Sequence, residues 1–109
     1  MIDHKFGMMP APPAPGQRYD AYEPQKYGCI AVQDDDLLLL AGHLRGIRCY
    51  WYTLDRPEWG LAWYGITLIP PTSLDALIES VWKNERLSDL FALLAQAQRE
   101  GRWVIHFGI

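Results

Sequence analysis

The 109-residue chain has only two cysteines, no apolar run near membrane-spanning length and no surplus of positive charge. Each shortage removes a class of function. Cys29 and Cys49 sit inside apolar runs and are too few for a disulfide scaffold. Free cysteine packs as a small hydrophobe, so both are expected to be reduced and buried. A membrane helix needs about 20 consecutive apolar residues, and charge or proline breaks every candidate run here. The N-terminus lacks the basic-then-apolar layout of an export signal, which leaves the cytoplasm as the expected location. With a net charge of −3 there is no general attraction to phosphate, so neither nucleic acid nor an anionic membrane is expected as a partner. The basic Gly-aromatic motif that lets a small α+β sheet stack RNA bases is missing as well.

Constellations that carry chemistry are equally sparse. The nine glycines are scattered and form no phosphate-cradling loop; there is no Gly-x-Ser-x-Gly and no cysteine with a basic partner nearby. His4, His43 and His106 share no metal-ligand spacing with each other or with the cysteines. Asp34-Asp35-Asp36 is the densest charge, but consecutive side chains on a helix diverge by about 100°, so three in a row do not converge on one ion. They read instead as the cap and first turn of a helix, where the dipole favours negative charge. No catalytic residue, metal ligand or cofactor is named on this basis, and the chain reads as non-enzymatic.

What the sequence does have is proline at one end and aromatic residues in the middle. Five of its eight prolines (Pro10, Pro12, Pro13, Pro15 and Pro24) fall in residues 1–26. Proline fixes φ and removes the backbone donor, so this stretch is predicted to be an extension outside the hydrogen-bonded body, with His4 in it. Tyr19, Tyr22 and Tyr27 suggest that its second half packs on the domain. Residues 27–109 form a single α+β domain. Six aromatic residues lie between positions 50 and 64: Tyr50, Trp51, Tyr52, Trp59, Trp63 and Tyr64.

Cys29-Ile30-Ala31-Val32 reads as a first strand. Leu37, Leu38, Leu40, Ala41 and Leu44 have helical spacing, closed by Arg45 and Gly46. Ile47 to Leu54 and Leu61 to Ile69 read as a hairpin around the loop Asp55–Gly60, ended by Pro70-Pro71. Gly65 within it hints at a bulge or a close backbone approach. A helix capped at Thr72 or Ser73 follows, with a loss of phase at Lys83–Arg86 marking a second one. Gly101 fits a C-cap, and Trp103, Ile105 and Phe107 alternate through a last strand with His106 on its other side. The predicted fold is a ferredoxin-like β-α-β-β-α-α-β arrangement: a mixed four-stranded sheet, helices on one face, the other face open.

The aromatic hairpin carries rings on both sides, and one small core rarely uses both. An aromatic ring left in water forgoes about 4–6 kcal/mol. The leading expectation is therefore a non-catalytic module that self-associates, or binds another protein, through the hairpin and the open sheet face. Trp59 is singled out on the hairpin, with Arg48, Arg56 and Arg102 as possible stacking partners. The alternative is a small-molecule pocket, sensory or enzymatic, between hairpin, last strand and N-terminal segment, lined by Tyr50, Tyr52, Trp63 or His106. In a third arrangement the N-terminal tyrosines cover the sheet and leave a compact monomer.

Overall fold

The structure, a computed structural model, describes residues 2–109. Ten elements follow one another: β1 (Asp3–Met8), β2 (Ile30–Gln33), α1 (Asp34–Leu38), α2 (Ala41–Leu44), β3 (Arg48–Trp51), β4 (Pro57–Trp59), β5 (Ile66–Ile69), α3 (Leu74–Val81), α4 (Ser88–Glu100) and β6 (Val104–Phe107). The strands make one sheet in the order β2-β1-β6-β5-β3-β4. Every neighbouring pair is antiparallel. Among the described residues no helix is long and apolar enough to cross a membrane.

The α+β class stands, but the four-stranded ferredoxin-like layout is corrected by two strands the sequence hid. The first is β1. Residues 3–8 are not outside the hydrogen-bonded body: they pair with β2 on one side and β6 on the other. The strand alternates His4 and Phe6 inward with Asp3 and Lys5 outward, and both inward residues are fully buried. The second is β4. Pro57–Trp59, expected as the hairpin loop, is an edge strand pairing with β3, and residues 60–65 form the loop instead. An edge strand tolerates the donor missing from Pro57. The expected mixed sheet is antiparallel throughout, because α1 and α2 carry the chain from β2 at one edge to β3 near the other and no parallel pair forms through them. Leu37 and Leu44 join the core beneath them.

The later half follows its periodicity. Leu74, Leu77 and Val81 on α3 and Leu90, Leu94 and Ala97 on α4 are buried against the sheet, together with Phe6, Cys49, Ile69 and Val104. Gly101 ends α4 in the left-handed conformation, at φ 64°. Ser73 does not cap α3. Its hydroxyl donates to the carbonyl of Arg48 at 2.6 Å, tying the helix start to β3.

The opposite face is not open. Ile66, Leu68, Ile105 and Phe107 point there and are buried beneath Met9, Tyr19, Tyr27 and Cys29. Tyr22 and Tyr27 both approach the Phe107 ring, at 5.6 and 6.0 Å between centroids. The Tyr19 amide donates to the carbonyl of Tyr52 at 2.7 Å. Residues 17–29 are thus the second cover of a three-layered body. Cys29 and Cys49 lie on opposite faces, and burial pushes the thiols up to about 11 and about 12 respectively.

Candidate functional site

At one end of the sheet, α1, α2, the β3–β4 hairpin and the loop 60–65 surround a cleft of about 390 Å³. Trp51, Trp59, Trp63 and Tyr64 line it with Leu38 and Leu44, and Arg45 lies on its rim. Trp59 is 58% exposed, Tyr64 80% and Leu38 49%. Edge strand β4 delivers Trp59, whose ring lies under the Arg48 guanidinium at 5.0 Å; Arg56 lies over Trp51 at 5.3 Å. The indole N–H of Trp51 donates to the carbonyl of Gly60 at 3.0 Å. Gly60 has a φ of +86°, a conformation that costs a side chain dearly, so glycine is required where the chain leaves β4. Gly65 is fixed for a different reason: a Cβ there would overlap the Tyr52 phenol.

The cleft floor is held from behind by a buried polar chain. Cross-strand neighbours β1, β6 and β5 contribute His4, His106 and Thr67, and α1 contributes Asp34. His4 Nε2 lies 2.8 Å from Asp34 Oδ1, His4 Nδ1 2.8 Å from His106 Nε2, and His106 Nδ1 3.1 Å from Thr67 Oγ1. Thr67 Oγ1 accepts the Ala62 amide at 2.8 Å, and Asp34 Oδ1 also accepts the Trp63 indole N–H at 2.8 Å. Trp63 sets its edge against His4, with centroids 4.6 Å apart. His4, Thr67 and His106 are all fully buried.

The donor direction of this chain follows from its ends. An ionised carboxylate only accepts, so His4 Nε2 carries a proton and donates to Asp34. His4 Nδ1 then accepts from His106 Nε2–H, and His106 Nδ1 accepts the Thr67 hydroxyl proton. With one proton on each ring, every polar atom along the chain is satisfied, which is what a buried network requires. Burial, and secondly the neighbouring His4, hold His106 well below the ordinary histidine range.

The three aspartates diverge as helical geometry demands. Asp34 takes His4 and Trp63, Asp36 pairs with Arg86 at 2.9 Å, and Asp35 is exposed. Among the described residues no three His, Cys, Asp or Glu side chains are grouped to hold one ion.

Of the residues singled out from sequence, Trp59 and Trp63 line one cleft, and Trp63 reaches His106 through His4. Tyr50 and Tyr52 are on the other face. Tyr50 packs at 5.7 Å from Trp103, and Tyr52, with a positive φ of 67°, lies beside Arg18 in the covered cluster. His106 does alternate with Ile105 and Phe107, but it faces the helices rather than an open sheet face. Tyr64, Leu38, His4, Asp34 and Thr67 were not singled out for a site. Tyr64 had a signal, as a ring in a loop beside a glycine. Asp34 was visible as part of the aspartate run, whereas Leu38, His4 and Thr67 had no signal, because only the fold brings them together.

Compared with protein-family models, curated proteins and solved structures, the chain matches none.

Proposed function

We propose that the chain is a non-catalytic protein-binding module that self-associates through the aromatic cleft. The observation carrying this reading is that Trp59 and Tyr64 line the same cleft and both stay mostly exposed. Each ring forgoes about 2–5 kcal/mol by staying in water. Trp82 and Tyr22 are also exposed, but scattered single aromatics need no explanation. Tryptophan and tyrosine with arginine alongside is the composition of interface hot spots. Here Arg48 already stacks on Trp59, and Arg56 on Trp51 of the same cleft, which limits the freedom of those rings, so less entropy is lost on binding.

The test is native mass spectrometry of the full chain over a dilution series, with Tyr64→Ala beside it. A dimer that dissociates on dilution and is lost in Tyr64→Ala supports the reading. A wild-type monomer at every concentration removes self-association. A second reading, a small-molecule site, draws on the volume of the cleft, which lies in the range of small-ligand pockets. A retained extra mass that Tyr64→Ala abolishes would favour it.

A further inference from the structure

The buried chain behind Trp63 has one donor direction, and that direction gives it a response to acid. A proton enters the histidine pair only at His4 Nδ1 or His106 Nδ1, the two lone pairs that accept in the neutral chain. On His106 Nδ1 it points at Thr67 Oγ1, and the Thr67 hydroxyl proton loses its acceptor in a fully buried site. On His4 Nδ1 it meets His106 Nε2–H across 2.8 Å. Relief then requires His106 to carry its proton on Nδ1, which again displaces the Thr67 proton. A second proton removes the bond between the rings altogether.

Little around His106 offsets an added charge, because the carboxylate in contact with the pair bonds His4 instead. Asp34 is the carboxylate that touches the pair. Asp35 is exposed and Asp36 is turned to Arg86. Asp3 and Lys5 face the other side of β1, with Lys5 Nζ 3.9 Å from Asp3 Oδ2. Phe6 lies 4.8 Å from His106, α4 brings Leu90, Leu94 and Ala97 to this side of the sheet, and neither β5, β6 nor the loop 60–65 has an acidic or basic residue other than His106.

We propose that the His4–His106 pair is an acid-released latch on the cleft: neutral, it accepts the Thr67 hydroxyl that holds the Ala62 amide beside Trp63; protonated, it displaces that hydroxyl, frees the Trp63 loop and dismantles the floor. The lowered His106 protonation agrees with this direction. The consequence for association rests on the cleft being the binding surface, whereas the latch itself is read without any partner.

The test uses the full chain carrying 5-fluorotryptophan, which gives one fluorine line for each of its five tryptophans. Trp63 is identified by Trp63→Phe. As pH falls from about 8 to about 5, the Trp63 line is expected to move below about pH 6.5. The Trp82 and Trp103 lines and the far-ultraviolet dichroism should hold through that window. In His106→Gln the amide donates to His4 Nδ1 and its carbonyl accepts from Thr67, with nothing to protonate at position 106 itself. That variant should lower the midpoint by about one pH unit or more. Movement of all five lines together, or an unchanged midpoint in His106→Gln, would overturn the latch. Should that variant not fold, nitrogen-15 ring correlations of the wild type decide at about pH 8: both rings protonated at Nε2 supports the chain direction, and Nδ1–H on either overturns it. A Trp63 transition in a protein that stays monomeric at every pH supports the latch and removes only the association reading.

Discussion

The β3–β4 hairpin and the loop that follows it carry two groups of similar rings that end differently. Tyr50 and Tyr52 point to the face that residues 17–29 cover, and both are half-buried. Trp51 and the neighbouring Trp59 and Tyr64 belong to the cleft, where Trp59 and Tyr64 stay mostly in water. Aromatic content alone does not mark an interaction surface. What separates the two groups is whether the same chain supplies a cover, and here the proline-rich N-terminal segment reaches only one of them.

The comparison breaks most completely if the sheet itself is weakened. Phe6→Ala empties a fully buried site on central strand β1 and is expected to cost about 3–5 kcal/mol. Urea unfolding measures it; a cost below about 1 kcal/mol would mean that β1 is not in the core. Next, Tyr19→Ala with Tyr27→Ala uncovers the tyrosine side and should cost about 1–3 kcal/mol, read as a lower urea midpoint.

Acid tests the polar chain. The folded state keeps His106 neutral below the pH at which an unfolded histidine, near 6.5, takes up a proton. Its contribution is therefore complete above about pH 6.5 and is lost as pH falls towards the lowered folded value. His106→Gln should flatten that limb of the stability–pH curve, and an unchanged limb would assign it to other groups.

Smallest of all, Trp59→Ala should change folding stability by no more than about 0.5–1 kcal/mol, because its ring lies largely outside the core. A loss of several kcal/mol would make Trp59 a core residue and erase the contrast between the two groups of rings. Thiol chemistry sharpens it further. Half-exposed Cys29 should react with a disulfide reagent faster than buried Cys49, although burial slows both.

The parts of the fold legible in sequence were those with a long local period. Helices α3 and α4 announced themselves through an apolar stripe interrupted near Lys83–Arg86, and β6 through its alternation. Strand β1 was hidden because one of its two buried inward residues is a histidine and Pro10 follows within two positions. Its partners are also remote in sequence. Strand β4 was hidden by its length of three residues and by Pro57. The single helix expected after the aspartates is two short ones, broken at Leu39-Leu40.

For the site, the aromatic cluster was visible as composition and Trp59 as a ring beside a turn. The histidine pair was not, since His4 and His106 are 102 residues apart and His4 and Asp34 are 30 apart. Only the adjacency of β1, β6 and β5, with Thr67 directly opposite His106, places them in one chain.

The most direct measurement is the fluorine spectrum of 5-fluorotryptophan protein as a function of protein concentration at neutral pH. Association through the cleft requires the Trp59 line, and to a lesser degree the Trp63 line, to move with concentration while Trp82 and Trp103 stay fixed. Five lines that do not respond to concentration, or a response confined to Trp82 or Trp103, would contradict the cleft as the surface through which this chain meets its own kind.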